Sequence, residues 1–64
     1  MSAFAYVLVR EVGKKRWLYL NGKGGEARLR VHAARFPVDK APEIAANIAK
    51  DNLGVWEAKA LPID

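Results

Sequence analysis

The stretch that decides the fold is HAARFPVDKAPEIAANIAKDNLGVW, residues 32–56. It starts with the end of an apolar strand at 32–37 and continues through a short connection to the only helical pattern in the chain. The residues on either side of it, by contrast, have the composition of strands. The sequence therefore predicts one helix that covers one face of a small sheet.

The predicted helix spans about residues 40–52. Asp39 is expected to be its N-cap, because a carboxylate can accept hydrogen bonds from the free amides of the first turn. Pro42 is tolerated in that turn, where a missing amide hydrogen costs nothing. Gly54 can adopt the left-handed conformation that ends a helix. Small and apolar residues recur at helical spacing and form a narrow stripe that would face the sheet: Ala41, Ile44, Ala45 and Ile48.

Three strands are predicted before this stretch, at about residues 4–12, 16–21 and 26–33. The first contains a continuous apolar run at 4–9, which indicates a central strand that is buried on both faces. Gly13 marks the turn into the second strand, and Asn21-Gly22 marks the hairpin into the third. The third strand alternates apolar and polar residues, which predicts one buried face and one exposed face.

A last strand is predicted at about residues 55–61, ended by Pro62, which has no amide hydrogen to donate. After three antiparallel strands and a helix, this strand would run parallel to the first and lie beside it through a right-handed crossover. The prediction is a single α+β domain over residues 1–64, with a four-stranded mixed sheet in the sequence order β-β-β-α-β. The strands would have the spatial order 3-2-1-4, with the helix packed on one face.

The helix leaves one face of this sheet open. If Ala27, Leu29 and Val31 face the helix, then the paired strands place an aromatic and basic set of side chains on the opposite face. The sequence predicts no second helix to cover that face, and an exposed patch of this kind marks an interaction site. The side chains expected there are Tyr6, Leu8, Arg10, Trp17, Tyr19, Arg28, Arg30 and His32. Basic residues of the neighbouring turns would extend the patch, namely Lys14, Lys15, Arg16 and Lys23.

Three hypotheses account for the open face. Tyr, Trp and Arg are enriched at protein interface hot spots, which favours docking on a protein partner. Aromatic rings among cations are also suited to stacking on bases and neutralising phosphates. In the third hypothesis two copies pair face to face and bury Trp17 and Tyr19 in a homodimer.

Composition sets limits on the function. A chain of 64 residues is near the lower size limit for an independent core, and it has no cysteine to form a disulfide or a thiolate metal site. Eleven Lys and Arg against seven Asp and Glu give a formal net charge of +4, compatible with a polyanionic partner. No apolar run is long enough to span a bilayer, and no signal peptide is apparent. The expected location is cytoplasmic.

The sequence contains no set of residues typical of a catalytic or metal site. Ser2 is the only serine, and His32 has no neighbouring acid, so a serine-type triad has no plausible members. The segment Gly22 to Gly25 contains Lys23 but no following Ser or Thr and no following helix, which favours a hairpin loop over a phosphate loop. We therefore predict a chain that is not an enzyme, with no metal, no cofactor and no small-molecule substrate.

The chain resembles a loose class of small phage and prophage proteins. The matching features are Tyr6-Val7, Tyr19-Leu20, Ala33 with Phe36, Ala41 with Ile44-Ala45 and Ile48, and residues 55–60. All of them are packing positions, and together they span nearly the whole chain. The resemblance implies an accessory protein, and some proteins of that class inhibit host systems.

A weaker likeness is to the three-stranded arm-binding domains of tyrosine recombinases, whose sheet lies in the DNA major groove. The matching positions are Trp17, residues 22–25, Arg28 and Arg30, and Phe36. This likeness implies DNA binding, but the first and last strands of the chain lie outside its pattern. We therefore expect a phage-type accessory protein that binds and modulates or inhibits a macromolecular partner, a protein in preference to nucleic acid.

Overall fold

A computed structural model of the chain describes residues 3–23 and 25–63. Ser2 and Gly24, on which part of the sequence analysis rests, lie outside the described residues. Over these described residues the chain forms five strands, one α-helix and one turn of 3₁₀ helix at Arg30–His32. The strands are β1 (Phe4–Glu11), β2 (Leu18–Leu20), β3 (Glu26–Ala27), β4 (Phe36–Pro37) and β5 (Trp56–Pro62), and the α-helix is α1 (Ala41–Asp51).

Strand β1 is the centre of the sheet. Along one edge it pairs with β5, from Ala5 opposite Pro62 to Glu11 opposite Trp56. Its other edge is shared by β2, which pairs near the end of β1, and β4, which pairs near its start. Strand β3 lies outside β2. The α+β class, the single helix and the position of the last strand beside the first are thereby confirmed.

The orientation of the last strand was predicted wrongly. Strand β5 runs antiparallel to β1, so the sheet is antiparallel and not mixed. The cause is an additional chain reversal at the 3₁₀ turn, where the His32 amide donates to the Leu29 carbonyl at 3.0 Å. After this reversal β4 pairs antiparallel with β1, the helix starts near the beginning of β1, and β5 returns from the opposite end.

The third strand is much shorter than the predicted span of residues 26–33. Only Glu26–Ala27 pairs with β2, and Leu29 and Val31 are exposed instead of lying beneath the helix. The alternation of apolar and polar residues in this segment therefore does not reflect a half-buried strand. The second strand is also shorter than predicted, whereas the first and last strands agree with prediction to within one residue at each end.

The helix forms where its periodicity predicts, but it begins differently. Lys40 is the N-cap residue and makes no side-chain capping hydrogen bond, so the prediction that Asp39 caps the helix is wrong. The helix starts one residue later than that prediction requires, with the Ile44 amide donating to the Lys40 carbonyl at 3.0 Å. At the other end Gly54 has the predicted positive φ, at 79°.

The core lies between β1 and α1 and is built from small side chains. Ala5, Val7 and Val9 pack against Ala41 and Ala45, which confirms the predicted helix stripe. Around them lie partly buried apolar residues of the helix side: Leu18, Leu20, Phe36, Val38, Ile44, Ile48, Trp56, Ala58 and Ala60. Such a small core rarely supplies more than about 3–5 kcal/mol of stability. Covering the remaining apolar surface is therefore important to this fold.

Candidate aromatic and cationic docking face

The register of the sheet fixes which side chains share the open face. Val7 and Val9 point to the helix, so the alternate residues of β1 point away from it. Tyr19 lies directly opposite Leu8, and Leu8 lies opposite Lys59 on the other side. Because residues that are directly opposite in a sheet share a face, all three side chains lie on the open face.

Two tyrosines form the centre of this face. The ring centroids of Tyr6 and Tyr19 are 5.4 Å apart with an interplanar angle of 75°, an edge-to-face arrangement. Such pairs contribute about 0.5–1.5 kcal/mol beyond the area that they bury. The guanidinium of Arg30 lies 5.5 Å from the centroid of the Tyr6 ring. The 3₁₀ turn that reverses the chain therefore also brings a cation to the open face.

Trp17 lies beside this pair and contacts two further cations. The guanidinium carbon of Arg10 and the Nζ of Lys59 are each 4.4 Å from the indole centroid. Arg10 also forms an ion pair with Glu57, the residue opposite it on β5. We call these six side chains the aromatic–cation cluster: Tyr6, Arg10, Trp17, Tyr19, Arg30 and Lys59.

The aromatic–cation cluster covers the apolar floor of the open face. Tyr6 and Leu8 are only 5% and 7% exposed, although the helix lies on the other side of the sheet. Trp17 and Tyr19 are half-buried. The long arms of cationic side chains can cover apolar surface while their charged ends stay hydrated. In this chain the cluster shields the apolar residues of the open face from water, as the helix shields those of the other face.

Exposed apolar side chains border the aromatic–cation cluster. Leu61, which is 42% exposed, lies opposite Tyr6. Phe4 is 48% exposed and lies two residues before Tyr6 on the same face of β1. The open face therefore combines half-exposed aromatic rings, fixed positive charges and uncovered apolar surface.

The position of Arg28 differs from the prediction. Tyr19 pairs with Ala27, and Leu20 pairs with Glu26, so Ala27 lies on the open face and not beneath the helix. A shift of one residue in register exchanges the two faces of a strand. Arg28 accordingly lies with Leu18 and Trp56 around a depression of about 440 Å³, which adjoins the aromatic–cation cluster through Arg10.

The other predicted residues are not members of the aromatic–cation cluster. Lys14, Lys15 and Arg16 are exposed in the connection between β1 and β2, and two of them, Lys14 and Arg16, line the same depression as Arg28. Lys23 and His32 line a second depression of about 770 Å³. The predicted binding residues thus extend from the aromatic–cation cluster into two depressions, which share Arg28 as a lining residue.

The second depression also contains Glu26, a carboxylate on the same concave surface as His32. A carboxylate and a histidine in one concave pocket are the arrangement that would favour an enzyme. Within residues 3–23 and 25–63, however, the two side chains form no ion pair, and no group of three potential metal ligands occurs. The depression is open to solvent.

The residues of the open face that were not predicted to lie there include two charged ones, Glu57 and Lys59. The signal for them was present, because these charged residues alternate with Ala58 and Ala60 in the last strand. This alternation predicts one face toward the helix and one toward solvent.

The fold and the open face define a structural class: over the described residues, a small α+β domain with one α-helix and an open, aromatic and cationic sheet face. No helix in the described part of the chain has both the length and the apolar character needed to cross a membrane. Comparison of the chain with protein-family models, with curated proteins and with solved structures finds no match.

Proposed function

We propose that this chain is a non-enzymatic binding module that docks on a protein partner through its open face. The observation that carries the proposal is the combination of half-buried Trp17 and Tyr19 with exposed Phe4 and Leu61 on a face that no helix covers. Exposed patches of aromatic and apolar side chains mark interaction sites. Trp, Tyr and Arg are also the residue types that dominate binding energy at protein interfaces.

The geometry favours a protein partner over nucleic acid. A base stacks on an open ring face, but the Tyr6 ring is almost fully buried, and the Trp17 ring already contacts Arg10 and Lys59. A protein partner needs no free ring face, because it can pack against the ring edges and against Phe4 and Leu61. The cations would then provide charge-assisted hydrogen bonds at the margin of the interface.

The role that we propose for this binding is that of a phage-type accessory protein, which modulates or inhibits its partner by occupying it. The resemblance to small phage and prophage proteins supports this part of the proposal.

The proposal is tested by capture from a bacterial lysate that has been treated with nuclease. The bait is the wild-type chain, and the test variant combines Trp17→Ala with Arg30→Glu, which removes an aromatic anchor and reverses one charge. Lys50→Glu is the matched control, because it reverses an exposed positive charge on the helix.

We expect a protein that binds the wild type and the control and is lost with the folded double variant. Circular dichroism establishes that the double variant is folded. If every protein retained by the wild type is retained equally by that variant, the open face is not the docking surface.

Binding of nucleic acid is the second candidate function. Arg10, Arg30 and Lys59 place three positive charges on the open face, and the nearby depression carries more. Binding of this kind should weaken steeply as salt concentration rises, because the cations release counterions from the phosphates. Titration of labelled duplex and single-stranded DNA tests this directly. An absence of binding at low salt would exclude the second candidate.

A further inference from the structure

Strand β5 has an unpaired edge, and its hydrogen-bonding pattern shows which groups point outward. The Val12 amide donates to the Val55 carbonyl at 2.9 Å, and the Ile63 amide donates to the Phe4 carbonyl at 3.0 Å. Both bonds fit the register that pairs β1 with β5. In an antiparallel ladder such bonded positions recur at every second residue. Glu57, Lys59 and Leu61 therefore bond to β1.

The residues between these positions direct their backbone groups away from β1. They are Trp56, Ala58 and Ala60, of which Trp56 donates its amide to the Asn52 carbonyl at 2.9 Å. Within residues 3–23 and 25–63, no strand other than β1 pairs with β5. The free edge thus presents the amides of Ala58 and Ala60 over a seven-residue strand. A long unpaired edge of this kind is a template for another strand.

We propose that β5 pairs antiparallel with β5 of a second copy of this chain, with Ala58 opposite Ala58. In this register the two Ala58 residues form a hydrogen-bonded pair, and the Ala60 amide of each copy donates to the Trp56 carbonyl of the other, while the Trp56 amides stay bonded to Asn52. Glu57 of each copy then lies opposite Lys59 of the other, which gives two pairs of opposite charge related by a two-fold axis. The strand is therefore complementary to itself in both hydrogen bonding and charge.

The neighbouring registers are less favourable. A shift that sets Ala58 opposite Ala60 also sets Lys59 opposite Lys59, and like charges directly opposite each other are destabilising. A shift in the other direction sets Glu57 opposite Glu57, which is destabilising for the same reason. Centring the pair on Ala60 places Pro62 opposite Ala58, and Pro62 has no amide hydrogen for the ladder. Charge and proline together select the register centred on Ala58.

Side-chain size fits the same register. On the helix side of the sheet, Ala58 meets Ala58, and the large Trp56 side chain meets the small Ala60 side chain. On the opposite side the two open faces become neighbours in one continuous sheet. The dimer differs from a face-to-face pair, because Trp17 and Tyr19 stay available on both copies.

Sedimentation equilibrium tests the proposal with charge-reversed variants. Lys59→Glu and Glu57→Lys each place like charges opposite one another in a homodimer, so each should raise the dissociation constant by about tenfold to thirtyfold. An equimolar mixture of the two variants restores opposite charges in both pairs, so it should form a heterodimer. Lys15→Glu, an exposed reversal in the turn between β1 and β2, is the control and should dimerise like the wild type.

A second measurement uses the unmodified protein and does not depend on whether a variant folds. In the proposed register Glu57 and Lys59 of opposite copies form close, non-hydrogen-bonded pairs. A mixed-isotope nuclear Overhauser experiment should therefore detect contacts between their α-protons across the two copies. Exchange of the Ala58 and Ala60 amides should slow as protein concentration rises.

Two results would overturn the proposal. The first is a wild-type chain that remains monomeric at millimolar concentration. The second is a dimer that responds to neither charge reversal and lacks the contact between Glu57 and Lys59. The oligomeric state is measured without the partner, so failure of this dimer and failure of the proposed docking function are separate outcomes.

Discussion

The two faces of β1 are buried by different means. Toward the helix, Ala5, Val7 and Val9 pack against small residues of α1, and shape alone excludes water. Toward the open face, Tyr6 and Leu8 are almost equally buried. Here the cover is provided by other side chains of the aromatic–cation cluster, among them Tyr19 and Arg30, which contact the Tyr6 ring. A strand can thus be buried on both sides by one helix and a set of long side chains.

The largest expected effect is on the helix side. Val7→Asp places an unpaired charge at a fully buried position between β1 and α1, and burial of such a charge costs several kcal/mol. Because the whole domain is expected to be stable by only about 3–5 kcal/mol, the variant should be unfolded at 25 °C. Circular dichroism measures whether the variant is folded.

Val31→Asp is the matched control, since Val31 is 80% exposed in the 3₁₀ turn. The free energy of unfolding of this variant should lie within about 0.5 kcal/mol of the wild-type value. A folded Val7→Asp variant with wild-type stability would contradict the assignment of the core.

A smaller effect is expected at the open face. Trp17→Ala removes the ring that contacts Arg10 and Lys59, and should lower the free energy of unfolding by about 1–3 kcal/mol in urea denaturation. Trp17→Phe keeps an aromatic ring and should recover much of that loss. If Trp17→Ala leaves stability unchanged, the ring does not cover the sheet. The conclusion that long side chains bury one face of β1, as the helix buries the other, would then be wrong.

The smallest effect is expected at the Arg10–Glu57 ion pair. Both side chains are partly exposed, so Glu57→Gln should cost only about 0.2–1 kcal/mol at low salt. The difference from the wild type should shrink in 1 M salt, where charges are screened over about 3 Å. Glu43→Gln on the exposed side of the helix provides the control. A loss that does not depend on salt would show that Glu57 contributes by packing and not by charge.

The parts of the fold that depend on local pattern could be predicted from the sequence. The apolar run at 4–9 identified the central strand, and the spacing of Ala41, Ile44, Ala45 and Ile48 identified the helix and its buried stripe. Gly54 identified the end of the helix. These features follow from the chemistry of neighbouring residues, so they required no knowledge of distant contacts.

The features that were missed depend on contacts between distant segments. The reversal at Arg30–His32 has no glycine or proline to mark it, and it inverts the direction of everything that follows. The register of β3 is set by only two residue pairs, so alternation over 26–33 gave the wrong face to Ala27 and Arg28. Lys59 reaches Trp17 because the register of β5 sets it opposite Leu8, which has Tyr19 of β2 on its other side. The aromatic half of the candidate site was therefore predictable, whereas its cationic half was only partly so.

The central claim is that the open face, and not the helix, contacts the partner. It is tested most directly by a photo-reactive amino acid placed at Phe4 on the open face or at Lys50 on the helix. With the partner that the wild-type chain captures, we expect cross-links from position 4 and few or none from position 50. Cross-links that form from position 50 and not from position 4 would contradict the account.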